Sequence, residues 1–168
     1  MLDYFLQRSI KSGIKKYNRK HSFLNYNNIE SILILFDIEG WHDLQPIIED
    51  LHQNGKKVSA WTIRAKNTPA SKFPPYVRVI QPEELTWMGL FKDNVINEYE
   101  NLHYDTLLDL SSEQNEHLLL LLTLNKSQFC IGLIEREYKL YDFILLKKDS
   151  QSLDEAYEEL KKYLEHIE

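Results

Sequence analysis

Ile32-Leu33-Ile34-Leu35-Phe36 constrains this chain more than any other segment. Five consecutive apolar residues between polar neighbours are too short for a buried helix and lack the alternation of a strand with one wet face. They imply a strand covered on both sides. Such a strand needs helices on both faces, and the sequence supplies them in alternation. Gly40 breaks the run, and Trp41–Gln53 then carries Leu44, Ile47, Ile48 and Leu51 at helical spacing until Asn54-Gly55 ends it. Val58–Ile63 predicts a second strand, more alternating and so nearer an edge. Val77–Ile80 predicts a third, after a loop over Arg64–Tyr76 that holds Pro69, Pro74 and Pro75. Tyr104–Leu110, Phe129–Ile134 and Phe143–Leu146 predict strands four to six. Ser111 with Gln114 reads as a capping box opening a helix through Leu124. Ser152 with Glu155 reads as another, opening a last helix with Leu153, Ala156, Tyr157, Leu160, Leu164 and Ile167 on one stripe.

The expected fold is α/β: a single Rossmann-like three-layer domain with a mainly parallel sheet of five or six strands, preceded by a basic N-terminal helix. Right-handed crossovers predict the strand order 3-2-1-4-5, with strand 6 at the far edge. A length of 168 residues suits one such domain with a sizeable core. The division expected is residues 1–28 as a basic amphipathic arm and 29–168 as the Rossmann-like domain.

Charge is unevenly spread. Residues 1–21 hold Arg8, Lys11, Lys15, Lys16, Arg19 and Lys20 against Asp3 alone, a local +5 in a chain of net −6, which leaves −11 for the remainder. Leu2, Phe5, Leu6, Ile10, Ile14 and Tyr17 fall close to one helical stripe, and Arg8, Lys11, Lys15 and Arg19 on another. Such a helix can lie on an anionic surface, either structured RNA, as on the ribosome, or the inner leaflet of a membrane. The competing arrangement packs it on the protein's own acidic body. With the core strands beginning at Ser31, a body lacking residues 1–21 is expected to fold.

Cys130 is the one cysteine, which excludes an internal disulfide and any multi-thiolate metal site and fits a reducing compartment. Its apolar neighbours Phe129 and Ile131 make it a core residue. The first residues carry no uninterrupted apolar core of signal-peptide length. The longest apolar run, Leu118–Leu122, is far short of the roughly 18–20 residues that span a bilayer. The expected location is cytoplasmic, or peripheral at the inner membrane. The histidines form no ligand motif, so no metal site is expected.

In a sheet of this order, ligands bind beyond the carboxyl ends of the strands, where the order reverses between strands 1 and 4. The loop after strand 1, Asp37-Ile38-Glu39-Gly40-Trp41-His42-Asp43, has one glycine where a dinucleotide fingerprint needs three, and two acids where a pyrophosphate would sit. No Walker sequence occurs. No cofactor, and no tightly bound nucleotide, is expected. Asp37 and Asp109 end strands 1 and 4 and are the candidate catalytic carboxylates, with His42, Ser111, Ser112 and Asn115 expected nearby. The competing reading has both carboxylates accepting from backbone amides at strand–helix turns, with His42 decorating a helix start. Arg64, Lys66 and Lys72, with Arg78 beyond them, form a basic loop able to receive a phosphate or sulfate, or simply to be solvated. Trp87-Met88-Gly89-Leu90-Phe91 is an apolar knot that, if exposed, would bind a protein partner; otherwise it packs over the sheet edge.

Ile32-Leu33-Ile34-Leu35 followed by Gly40 and Pro46, then Tyr104-Asp105-Thr106-Leu107-Leu108-Asp109-Leu110, then Cys130-Ile131-Gly132-Leu133, resembles the N-terminal half of heptosyltransferase-like glycosyltransferases. The similarity spans roughly residues 31–134. In that family a turn aspartate implicated as a catalytic base directly follows the glycine; here Trp41 and His42 follow Gly40, and Asp43 comes after them. The family's second domain, which holds the sugar nucleotide, has no counterpart in 168 residues. The resemblance therefore implies a half-enzyme without a donor site. The chain is also similar to small bacterial proteins known only as a domain of unknown function.

The function expected is a non-enzymatic α/β binding or adaptor module docking an anionic partner through its basic arm. The alternative is a small enzyme, or a subunit of a split enzyme, acting on a small polar or phosphosugar substrate with carboxylates at the switch point.

Overall fold

The computed structural model describes residues 2–168. Strands β1 (Ser31–Leu35), β2 (Lys57–Ile63), β3 (Val77–Ile80), β4 (Thr106–Asp109), β5 (Phe129–Gly132) and β6 (Phe143–Ile144) form one sheet in the order β3-β2-β1-β4-β5-β6. Every neighbouring pair is parallel. The expected α/β fold and strand order are those observed. β1 lies in the middle, so its side chains are covered whichever way they point, as its unbroken apolar run demands.

Helices α1 (Leu2–Lys16), α2 (Trp41–Gln53), α3 (Asp93–Glu100), α4 (Glu116–Thr123) and α5 (Leu153–Glu165) complete the layers. One core gathers Leu33, Leu35 and Leu107 from the sheet with Leu6 and Ile10 of α1, Tyr99 of α3 and Leu118 and Leu121 of α4. The other gathers Ile32, Ile34 and Leu108 with Ile47 and Leu51 of α2 and Leu160 and Leu164 of α5. The period-2 alternation of strand side chains sends odd and even residues of β1 into different cores. Each buried Leu or Ile contributes about 1.5–3 kcal/mol.

α1 departs from the expected arm. It packs on α4 within the same core as the sheet, with Ile14 and Tyr17 extending the contact. Its partner is the leucine face of α4, not an acidic surface. Beyond the helix, Arg19 turns inward: Nη2 donates to Asp142 Oδ2 at 2.7 Å and Nη1 to the Ser127 carbonyl at 2.8 Å, while Nε donates to Tyr17 Oη at 3.0 Å. His21 also pairs with Asp142, whose side chain is fully buried. Burial opposes the Arg19 charge, but its hydrogen bonds with Tyr17 and Asp142 hold it protonated. Burial pushes Tyr17 up to about 12. α1 and the segment through His21 thus pack against the sheet, α4 and the chain around β5 and β6. Met1 and the Leu2 side chain, placed by the sequence on the apolar stripe, lie outside the described residues.

A second departure concerns α4, which begins at Glu116 rather than Ser111. Asn115 takes the cap, its Oδ1 accepting from Leu118 N at 3.2 Å, while Ser111 Oγ donates to Asp109 at 2.5 Å. The Ser152 cap of α5 forms as read, accepting from Glu155 N at 3.1 Å. No helix among the described residues is long and apolar enough to cross a membrane.

Candidate functional site

Parallel strands all end at one edge of the sheet, and the turns that follow β1 and β2 splay apart there. They leave a cleft of about 770 Å³. Its floor is Asp37, Ile38 and Glu39 after β1 and Ile63, Arg64, Ala65 and Lys66 after β2. One wall is the turn carrying Trp87, and another is the start of α4 with Asn115, Glu116 and His117. The first turn of α1 closes the third side with Asp3 and Leu6. The volume lies within the roughly 300–1,000 Å³ of small-molecule sites.

Asp37 sits at the cleft, with one oxygen accepting from Ser112 N at 2.9 Å and the other from Asn115 Nδ2 at 2.8 Å. Asp109 does not join it. It is 1% exposed and accepts from Ser111 N at 3.0 Å, Tyr141 Oη at 2.5 Å and Arg136 Nη2 at 3.2 Å, besides the Ser111 hydroxyl. Arg136 Nε in turn donates to Tyr141 Oη at 2.6 Å. Burial and the Asp109 charge push the Tyr141 hydroxyl far above its ordinary value, so it stays a donor. The two carboxylates hold adjacent parts of one loop, Asp109 at Ser111 and Asp37 at Ser112 and Asn115, instead of converging on a substrate. His42 lies elsewhere. It is exposed in a separate shallow depression with Lys147 and Asp154, because the first turn of α2 carries it to the face shared with α5.

A family profile matches residues 3–167, nearly the whole chain. The chain belongs to DUF6913, a family of unknown function. No curated protein and no solved structure matches it.

The basic residues of this DUF6913 protein's loop are spread over separate places. Arg64 donates to Gln81 Oε1 at 2.8 Å and to the Thr68 carbonyl at 2.7 Å. Lys66 is exposed at the cleft, and Lys72 is exposed away from it. Arg78 is held by Glu84 at 2.7 Å and Glu98 at 2.6 Å. The segment Trp87–Phe91 folds into a tight turn bridged by Leu85 and Phe91, with Gly89 at φ +76°. Phe91 is buried, while Trp87 is 76% exposed and meets Phe5 edge-on at 5.9 Å. The segment offers one ring at the cleft rim rather than an apolar patch.

Arg8, Lys11 and Lys15 of this family member are exposed, and none forms an ion pair among the described residues. Their spacing puts them on one helical stripe with Tyr4, 59% exposed, on the side of α1 away from Leu6 and Ile10. Sequence reasoning missed Arg136, Tyr141 and Asp142, which lie in a polar stretch without periodicity. It also missed Glu116 and His117, which open α4 beside the cleft, and Asp3, which reaches the cleft through the packing of α1 on α4. No local pattern marks either set.

Proposed function

We propose that this DUF6913 protein is a non-enzymatic binding module that docks on RNA through the outward stripe of α1. One observation carries the reading. The apolar stripe of α1 is consumed by α4, whereas Arg8, Lys11 and Lys15 face away from the body without intramolecular ion partners among the described residues. An interfacial membrane helix binds by burying its apolar face in the bilayer. With that face occupied, three exposed basic residues supply about 3 kcal/mol toward an anionic membrane at about 1 kcal/mol each. RNA asks only for cations spaced along a backbone, and an exposed ring such as Tyr4 adds a surface for a base to stack on. An RNA partner carries with it a cytoplasmic location.

The alternative, a small enzyme related to glycosyltransferases, has less support. Of its three candidates only Asp37 lies at the cleft.

The test is binding to single-stranded RNA and to anionic vesicles across a salt series, for the native chain and for the combined Arg8→Glu, Lys11→Glu and Lys15→Glu variant. Neutralising three phosphates gives a log–log salt slope of about −2. The variant should lose the binding and keep its melting temperature. Binding that survives charge reversal, or vesicle binding without RNA binding, would overturn the proposal.

A further inference from the structure

The cleft has its own chemistry, independent of the outer stripe of α1. Along its floor, Asp37 and Glu39 follow β1, while Arg64 and Lys66 follow the adjacent β2. Adjacent strands lie about 4.8 Å apart, so charges of opposite sign face the same space on neighbouring strand ends. Lys66 makes no ion pair among the described residues, and Arg64 uses Nε on Gln81 beyond β3 and Nη1 on Thr68 within its loop. Asp3 and Glu116 add negative charge from the helix starts, which makes a bare phosphate or nucleotide a poor match. Above the floor, Leu6 and Leu85 give apolar contact, and the Trp87 ring overhangs the rim with most of its surface unused. Beside a cleft, an exposed tryptophan offers a flat apolar face, with a polar N–H, against which a ligand ring can pack.

From this arrangement we propose that the cleft binds a small zwitterion bearing a flat apolar group, namely a free aromatic amino acid. Its carboxylate meets Lys66 and the free end of Arg64, its ammonium meets Glu39 and the open lone pairs of Asp37, and its ring lies against Trp87. The site binds and does not react: among the described residues, neither hydroxyl lining it, on Thr86 or Ser112, hydrogen-bonds to a side-chain base.

Three probes differing by one group separate the parts: L-phenylalanine, phenethylamine, which lacks the carboxylate, and phenylpropionate, which lacks the ammonium. In an amide-resolved NMR titration of the full chain, L-phenylalanine should shift residues around Asp37, Arg64, Trp87 and Asn115. Either analogue should bind about tenfold or more weakly, the factor that corresponds to 1.4 kcal/mol. Lys66→Gln should weaken L-phenylalanine and phenylpropionate but not phenethylamine, and Glu39→Gln should weaken L-phenylalanine and phenethylamine but not phenylpropionate. Trp87→Ala should weaken all three. Lys66, Glu39 and Trp87 are exposed, so the variants should melt with the native chain. Absence of binding by L-phenylalanine overturns the proposal. So does equal binding of all three probes, which would mean ring contact alone, or phenethylamine binding as tightly as L-phenylalanine, which would make this a cation site.

Discussion

Gly13 of α1 lies directly against Thr123 of α4: a Cβ on Gly13 would come within 2.3 Å of Thr123 Oγ1 and 2.9 Å of Thr123 Cβ. The hydroxyl has little room to yield, because it donates to the Leu120 carbonyl at 2.7 Å. Alanine is worth about 1 kcal/mol more than glycine in a helix interior. Overpacking, at about 1–3 kcal/mol, should outweigh that gain, with Gly13→Ala losing up to about 2 kcal/mol net in denaturant unfolding. A stabilised variant would mean that the two helices separate freely.

Deleting residues 1–21 should unfold the domain rather than release an arm. The cut uncovers Leu118 and Leu121 of α4 and strips Arg19 and His21 from the buried Asp142. Removing one partner from a buried pair alone costs about 3–5 kcal/mol. The truncated chain should show no cooperative thermal transition. A sharp transition near the native temperature would contradict this.

Asp109→Ala should cost about 3–5 kcal/mol, since it leaves the Arg136 guanidinium, 6% exposed, and the Tyr141 hydroxyl without their acceptor. Asp37→Ala, at a half-buried position holding two neutral donors, should cost about 1–2 kcal/mol. Urea midpoints rank the two, and a reversed order would place the structural weight at the cleft.

Hydrogen bonds from Arg78, offset in part by burial, hold the Glu84 carboxyl at about 2, against an ordinary 4.5. Between those values the unfolded chain binds more protons than the folded one, so this pair stabilises above pH 4.5 and its contribution disappears as pH falls through about 2. Glu84→Gln should therefore be less stable than the native chain at neutral pH. The difference should shrink across that window in chemical denaturation at stepped pH; a constant difference would contradict the assignment.

NAD, FAD, ATP and UDP-sugars should leave the melting temperature unchanged. The turn after β1 offers Asp37 and Glu39 where phosphates would lie, with Gly40 alone in place of a glycine-rich cradle. Reproducible stabilisation by any of the four would contradict this.

The sheet was legible in the sequence because its information is local. An unbroken apolar run such as Ile32–Phe36 states that both faces are covered, and the alternation of strands with helical stripes then restricts the order through the handedness of crossovers. Val77–Ile80 and the Ser152 cap are found where those patterns put them. The fate of individual charges was not legible, because it depends on which remote groups arrive beside them. Asp37 and Asp109 end adjacent strands with similar surroundings in sequence, yet Arg136 and Tyr141 arrive from beyond β5 and enclose only the second. Arg8 and Arg19 belong to one basic segment, and only the second finds a buried carboxylate, on Asp142. Hydrophobic burial is non-directional and follows from pattern alone, whereas a buried charge needs a particular partner at hydrogen-bond distance. Only the packing of α1 on α4 and the path of the chain around β5 and β6 supply those partners.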